Sequence, residues 1–270
     1  MSEKKDAKVT TATFARMKRE GEKITMLTAY DYTMARILDE AGVDSILVGD
    51  SASNVVAGWP TTLPITVDQM IYHGSAVVRA AHRALVVVDM PFGSYQAGVE
   101  QGVGAAVRMM KETLADALKI EGGKEMLPVM SAIIAAGIPV IGHLGLTPQS
   151  INKFGGYGLR AKDEAEAAKL KADAKLLEEI GCFAIVLEKV PAALAAEVAR
   201  ESSVPIIGIG AGEKVDGQVL VGQDMLGMGT MFRPKFVRQY LNLHDEIADA
   251  VRRYSSDVKS GAFPGPDEQY

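Results

Sequence analysis

The chain has 270 residues, 48% of them hydrophobic and 23% charged, a composition that sustains a large buried core and excludes fibrous and disordered classes. Its length exceeds a domain prior of roughly 150 residues, yet α/β barrels run to roughly 250 as one unit, so a single domain over 1–270 is expected. The 34 acidic and 29 basic residues, net charge −5, are spread along the chain, which leaves no basic footprint for nucleic acid or anionic membrane and points to a small-molecule partner.

The first 23 residues, MSEKKDAKVTTATFARMKREGEK, are charged and lack the apolar centre of a signal peptide, so they are expected to be retained. Within them TFARMKREG predicts an extra helix capping the bottom of the fold. Eight short β-rich runs follow: ITMLTAY (24–30), SILVGD (45–50), ALVVVD (84–89), DALKIE (116–121), PVIGH (139–143), CFAIVLE (182–188), VPIIGIG (204–210) and GQVLVG (217–222). Continuous apolar runs predict strands covered on both faces, as in a parallel sheet.

Between them lie amphipathic stretches such as YTMARILDEAG, TVDQMIYHGSAVVRAA and KDEAEAAKLKADAKLLEEIG. In the last, Leu170, Ala174, Leu177 and Ile180 share a face, Glu166 with Lys169 and Lys175 with Glu179 decorate the other, and Gly181 stands at the C-terminal cap position. Eight strand–helix units predict a TIM-type (β/α)8 barrel, with an open doubly wound sheet as the alternative. Between Gly210 and Gly217 there is room for only a turn of helix. The tail SGAFPGPDEQY is expected to be extended. The longest nearly apolar run, Ser131 to Gly142, contains Pro139 and falls well short of the roughly 20 residues that span a bilayer. The lone cysteine, Cys182, has no partner for an internal disulfide, which fits a reducing, cytoplasmic setting.

Chemistry collects where strands end. Asp50, Asp89, Glu121, His143 and Glu188 each close an apolar run, and in a parallel barrel such ends meet at one mouth. Several carboxylates held there call for a counter-ion, and oxygen donors favour Mg²⁺ over zinc. Lys119 and Glu121, two apart on one strand, point inward together; a structural salt bridge is the alternative reading of this pair. An isolated strand-end Asp also reads as a helix N-cap. Glu188, after an apolar strand and before Val190 and Pro191, is placed for burial that favours a proton-holding carboxyl, the direction a general base needs. His143 reads either as a pocket residue or as a buried histidine satisfied by backbone; His73, His82 and His244 read as surface or packing residues in helices. GIGAG (208–212) lacks nucleotide-motif spacing and is read as close backbone packing. FGGY (154–157) reads as a covering loop with glycine hinges.

These motifs together resemble one family. TAYDY (28–32), LVGDS (47–51), TTLPIT (61–66), DMPFGSY (89–95), KIEGG (119–123), GHLGLTPQS (142–150), FGGY (154–157), VLEKVP (186–191), VPIIGIGAG (204–212), DGQVLV (216–221) and PKF (234–236) stand in the order found in ketopantoate hydroxymethyltransferases. The resemblance implies a barrel of the phosphoenolpyruvate mutase/isocitrate lyase-like group that uses Mg²⁺ and takes 5,10-methylenetetrahydrofolate as co-substrate. It implies hydroxymethyl transfer to 3-methyl-2-oxobutanoate through a Mg-stabilised enolate, giving 2-dehydropantoate. Asp50 and Asp89 would ligate metal, with Glu121 ligating directly or through water. Ser51 and Lys119, with Asp50, Asp89 and His143, would form the substrate pocket, and Glu188 would accept the proton. A large homo-oligomer is also implied, with a decamer as the expected size.

Two stretches depart from the family pattern: ASNVVAGWP after Ser51, with Trp59 and Pro60, and GLRAK (158–162) after FGGY. Both fall in covering loops and leave the metal and base positions intact. Two other functions are weighed. A Mg²⁺-dependent carbon–carbon lyase acting on a 2-oxo acid would need no folate, but the isocitrate type carries a loop cysteine, whereas Cys182 begins a strand. A noncatalytic binding barrel predicts decay at the strand ends, where all the acids and Lys119 are present.

Overall fold

The computed structural model describes residues 7–229 and 234–270; residues 1–6 of the charged N-terminal segment lie outside them. Strands β1 (Ile24–Thr28), β2 (Ser45–Val48), β3 (Leu85–Asp89), β4 (Ala117–Glu121), β5 (Val140–Gly145), β6 (Ala184–Glu188), β7 (Ile206–Ile209) and β8 (Gly217–Leu220) close a parallel barrel in chain order. The closing pair is β1 with β8, in the register Ile24↔Gly217 to Leu27↔Leu220. That pairing decides for the barrel over the open sheet.

The apolar runs form strands because both faces are buried; β3 and β4 are buried at every residue. One set of side chains, including Ile46, Val48, Val86, Val88, Leu118 and Ile120, packs toward the helices. The alternate set, including Leu47, Leu85, Val87, Ala117, Ile141 and Val186, fills the interior. Phe14 and Met17 of the helix Thr11–Glu20 join this interior cluster beside Ile24, Leu85 and Ala184, which begin their strands. The helix therefore plugs the N-terminal end of the barrel and leaves the opposite end for chemistry.

Helices Tyr32–Glu40, Val67–Ala80, Val99–Thr113, Leu127–Ala135, Glu164–Glu179 and Ala192–Glu201 occupy the connections. Their starts are set by side chains that take up otherwise unpaired N–H groups: Asp31 accepts from Met34, Asp163 from Glu166, and Thr66 forms a capping box with Gln69. In Glu164–Glu179 the expected face is buried at Leu170, Ala174 and Leu177. The surface pairing differs from the simple spacing: Glu166 pairs with Arg160, and Lys169 with Asp173 and Glu125. Arg160 and Glu125 come from outside the helix, Asp173 lies four residues on within it, and Lys175 pairs with Glu179 as the spacing expects.

The seventh connection carries no helix at all. Asp216 ties it down instead, accepting from the backbone of Ile206 and pairing with Lys18. Gly212, at φ +84, has Ala192 Cβ 2.5 Å from where its own Cβ would stand, so GIGAG is close backbone packing. His82 lies just beyond its helix rather than in it.

The single-domain expectation meets two compact units, Met1–Val221 and Gly222–Tyr270. The second holds the helix Leu243–Ser260, which buries none of its residues. Its tail is not extended throughout: Ala262 and Phe263 donate back to Asp257 O, Phe263 meets Tyr254 edge-on, and Pro266–Glu268 forms a 3-10 turn. Local acceptors and an aromatic contact compete successfully with solvent there. No helix among the described residues is long and apolar enough to cross a membrane.

Candidate active site

Five of the seven expected site residues converge through strand register, and Asp50 joins them from the loop after β2. Asp89 is the cross-strand neighbour of Lys119, Glu121 of His143, and Gly145 of Glu188. Because side chains alternate, Lys119 and Glu121 face the interior together. Lys119 Nζ lies 3.1 Å from Asp89 Oδ1, 3.2 Å from His143 Nδ1 and 3.8 Å from Glu121 Oε1. His143 Nδ1 is 3.1 Å from Glu121 Oε1, and its Nε2 is 3.5 Å from Glu188 Oε2. Asp50, two residues beyond β2, donates its backbone N–H to Asp89 Oδ2 at 3.0 Å. The seventh residue, Ser51, stands beside this group, its hydroxyl 2.8 Å from Tyr30 Oη.

Gly145 is required by its position. It sits at φ +89, and a Cβ there would stand 2.4 Å from Glu188 O. The bare backbone lets β5 approach the residue that carries the outermost carboxylate, and Leu146 N donates to that same carbonyl.

Burial and charge separate the acids into two kinds. Asp50, Asp89 and Glu121 are almost fully buried, and desolvation raises each to about 7, partly relieved by the ammonium of Lys119. Burial alone would lower Lys119, but the three carboxylates outweigh it, Asp89 foremost, and hold the ammonium above its ordinary range. Burial and the charge of Lys119 push His143 down to about 4, so its imidazole is neutral. The expected strong burial of Glu188 is not met: its side chain keeps 16% exposure against 3% for Glu121. Glu188 ends its strand at the open rim, and the desolvation falls on the deeper acids.

Three buried carboxylates around one ammonium leave excess negative charge in a region of weak screening, the donor chemistry of a hard divalent cation. Asp89 Oδ1 is buried and has only its ion pair with Lys119, without hydrogen-bond geometry. Both oxygens of Glu121 are engaged, Oε1 toward His143 and Lys119, Oε2 by the backbone N–H of Gln149 at 2.9 Å. Among the described residues no three His, Cys, Asp or Glu side chains converge tightly enough to hold a metal by themselves. Asp50 and Asp89 are the buried oxygen donors here that could hold such a cation.

Residues 8–266 match the family described as ketopantoate hydroxymethyltransferase. The chain belongs to that family. A relative from Bacteroides fragilis, named 3-methyl-2-oxobutanoate hydroxymethyltransferase, is 64% identical over 263 residues, covering 97% of this chain and 96% of its own. One of the same name from Flavobacterium johnsoniae is 62% identical over 268 residues, covering 99% and 98%. Among solved structures, a phosphonopyruvate hydrolase in complex with oxalate and Mg²⁺ superposes with TM-score 0.62 at 13% identity, covering 96% of this chain and 92% of that one. A 2,3-dimethylmalate lyase of the phosphoenolpyruvate mutase/isocitrate lyase superfamily gives 0.56 at 15% identity, covering 96% and 90%. These likenesses show that the ketopantoate hydroxymethyltransferase barrel shares the fold of those proteins.

Three further residues of this hydroxymethyltransferase barrel enter the site. Gln149, in the loop after β5, donates from Nε2 to Asp50 Oδ2 and to Met90 O, each at 2.9 Å. Tyr95 donates its hydroxyl to Gln149 Oε1 at 2.7 Å and accepts from Glu121 N at 3.2 Å. Tyr30 holds Ser51, and its own carbonyl meets His73 Nδ1 at 2.7 Å. All three lie in motifs that carry the family likeness, TAYDY, DMPFGSY and GHLGLTPQS, yet none stands at a position in strand or helix that singles it out.

The FGGY segment meets the first of the two stretches that depart from the family pattern. Gly155 and Gly156 both adopt positive φ, and Tyr157 beyond them donates to Pro60 O at 3.4 Å. Lys189 donates to Tyr157 O, and the Arg160 guanidinium lies 3.9 Å above the Phe154 ring. A cavity of about 280 Å³ beneath this segment is lined by Gly122, Leu144, Gly145, Phe154, Arg160 and Leu170, among others. Leu144 and Leu170 belong to the helix-facing core, so the cavity lies on the far side of β5 from His143.

Proposed function

We infer that this chain is a 3-methyl-2-oxobutanoate hydroxymethyltransferase that uses Mg²⁺ and takes the one-carbon unit from 5,10-methylenetetrahydrofolate. The observation that carries the reading is the convergence of Asp50, Asp89, Lys119, Glu121, His143 and Glu188 on one rim in a chain of this family. Asp50 and Asp89 would hold the cation, with Glu121 reaching it through water, and the cation would supply Lewis acidity at the keto oxygen of the 2-oxo acid.

Lys119 supplies a fixed positive charge where the substrate carboxylate and keto oxygen sit, and Ser51, held by Tyr30, offers a hydroxyl to the same end of the substrate. Glu188, at the open side of the cluster, takes the proton from carbon 3. Neutral His143 stands behind it, its Nε2 3.5 Å from the Glu188 carboxylate and its Nδ1 between Lys119 and Glu121. Carbon 3 attacks the methylene carbon of the folate from the rim, and hydrolytic release leaves 2-dehydropantoate and tetrahydrofolate. The segment 144–161 covers the mouth during the reaction.

The lyase reading has less support, since the close relatives carry the transferase name. Cys182 is buried in the turn before β6, its thiol pushed up to about 12 by burial, far from nucleophilic character. The chain is proposed to act in the cytoplasm as a homo-oligomer, with a decamer as the size to test. Ile247, Val251, Tyr254 and Val258 form an exposed apolar stripe along Leu243–Ser260 that supports self-association.

The test separates proton abstraction from transfer. With 3-methyl-2-oxobutanoate and Mg²⁺ in deuterated water, carbon 3 exchanges its proton without folate, and adding 5,10-methylenetetrahydrofolate converts the mixture to 2-dehydropantoate. Glu188→Gln lowers both by about 10²–10⁴-fold while Mg²⁺ still binds. Exchange without folate-dependent product would point to the lyase; neither in the wild type would point to a noncatalytic barrel.

A further inference from the structure

Gln149 is buried, and every hydrogen-bonding position of its side chain is used. The two hydrogens of Nε2 go to Asp50 Oδ2 and Met90 O, both acceptors. Oε1 receives the Tyr95 hydroxyl at 2.7 Å and Gln96 Nε2 at 3.0 Å. Turning the amide over would set its carbonyl against a carboxylate and another carbonyl, so one orientation is enforced. The backbone N–H of the same residue donates to Glu121 Oε2 at 2.9 Å. One residue, from the loop after β5, thereby joins groups at the ends of β2, β3 and β4.

We propose that Gln149 is the positioning residue of the cation site, fixing the rotation of the Asp50 and Glu121 carboxylates so that they present to the cation without reorganisation. A carboxylate tied at one oxygen loses its free rotation, and its second oxygen keeps one direction. Glutamine is the side chain that fits: glutamate would bring a fourth carboxylate against Asp50, and methionine would match the volume while removing all four bonds. Tyr95 reaches the Asp50 carboxylate through Gln149, since its hydroxyl holds the amide carbonyl and so keeps the donating end on Asp50, while also accepting from Glu121 N. This assignment rests on the proposed cation site, and outer-shell partners of this kind are worth about 10–100-fold in metal affinity.

The experiment measures Mg²⁺ affinity by calorimetry and the thermal midpoint without Mg²⁺, on the full chain, for the wild type, Gln149→Met, Tyr95→Phe and the double variant. Gln149→Met is expected to weaken Mg²⁺ binding by about 10–100-fold. Tyr95→Phe weakens it less, because Nε2 keeps its acceptors, and the double variant binds no more weakly than Gln149→Met. Wild-type affinity in Gln149→Met, with only the thermal midpoint lowered, would show a merely structural residue and overturn the proposal. Should Gln149→Met fail to fold, Tyr95→Phe decides alone, and an unchanged affinity there overturns it equally. A wild type that binds no Mg²⁺ would overturn the cation site itself, and this assignment with it.

Discussion

His143 Nε2 stands 3.5 Å from Glu188 Oε2 while Nδ1 of the same ring is shared between Lys119 and Glu121. The imidazole thus links the buried acids to the carboxylate at the rim, and as a neutral ring it carries orientation rather than charge.

Replacing this link should separate its two sides. His143→Gln keeps a polar atom near the Nε2 position, whereas His143→Asn keeps one only near Nδ1. Carbon-3 proton exchange is expected to fall by about 10²-fold in the asparagine variant, the scale of a misplaced catalytic group, and less in the glutamine variant. Equal rates in the two would remove Nε2 from the mechanism.

The pH dependence of stability follows from opposite shifts. Asp50, Asp89 and Glu121 are raised to about 7 chiefly by burial, so between the ordinary carboxylate range near 4 and about 7 the folded chain binds more protons than the unfolded one. Their contribution is full below that window and is lost as pH rises through about 7. His143, lowered to about 4, acts in reverse, costing stability as pH falls from about 6.5 toward 4. Three carboxyls outweigh one imidazole, so the thermal midpoint of metal-free protein should decline as pH rises from about 5 to 8. Saturating Mg²⁺, which binds the deprotonated carboxylates, should restore it at the upper end. A metal-free midpoint that rises over this range would contradict the buried cluster.

Gly145→Ala tests the backbone under the proposed base. A non-glycine residue at this positive φ costs about 1–3 kcal/mol, and the new methyl group would overlap Glu188 O. Urea denaturation should show that loss, and carbon-3 exchange should fall because Glu188 is displaced. Retained exchange at full rate would show that β6 does not need this close approach.

Substrate with Mg²⁺ should slow amide hydrogen exchange across residues 144–161, with smaller changes in the core strands. Gly155 and Gly156 supply the backbone freedom, and the Tyr157–Pro60 contact supplies a latch across the rim. Identical exchange with and without these ligands would leave the segment a static wall.

Much of the barrel was legible because its code is local. Apolar runs of strand length, each ended by an acid or a histidine, mark strands buried on both faces whose ends share a mouth. The two-residue period placed Lys119 and Glu121 inward together. Glu188 was legible as a site residue but its degree of burial was not, since exposure depends on how far each strand reaches toward the rim. The pairing of Glu166 and Lys169 was misjudged for a similar reason: helical spacing offers Lys169 more than one neighbour, and it takes Asp173 four residues on, while Arg160 and Glu125 are brought close by chain folding.

The sequence by itself determined where the strands lie along the chain, the identity of the strand-end acids and the family likeness, because strand patterning and motif order are written in residues near one another. Only the tertiary structure decided that β8 closes onto β1, that the seventh connection needs no helix, and that Gln149 reaches Asp50 across 99 positions of chain. Those relationships depend on side chains meeting from distant segments in a nearly water-free space. There, weak dielectric screening raises the three carboxylates and makes each hydrogen bond to them decisive, and no local pattern encodes that.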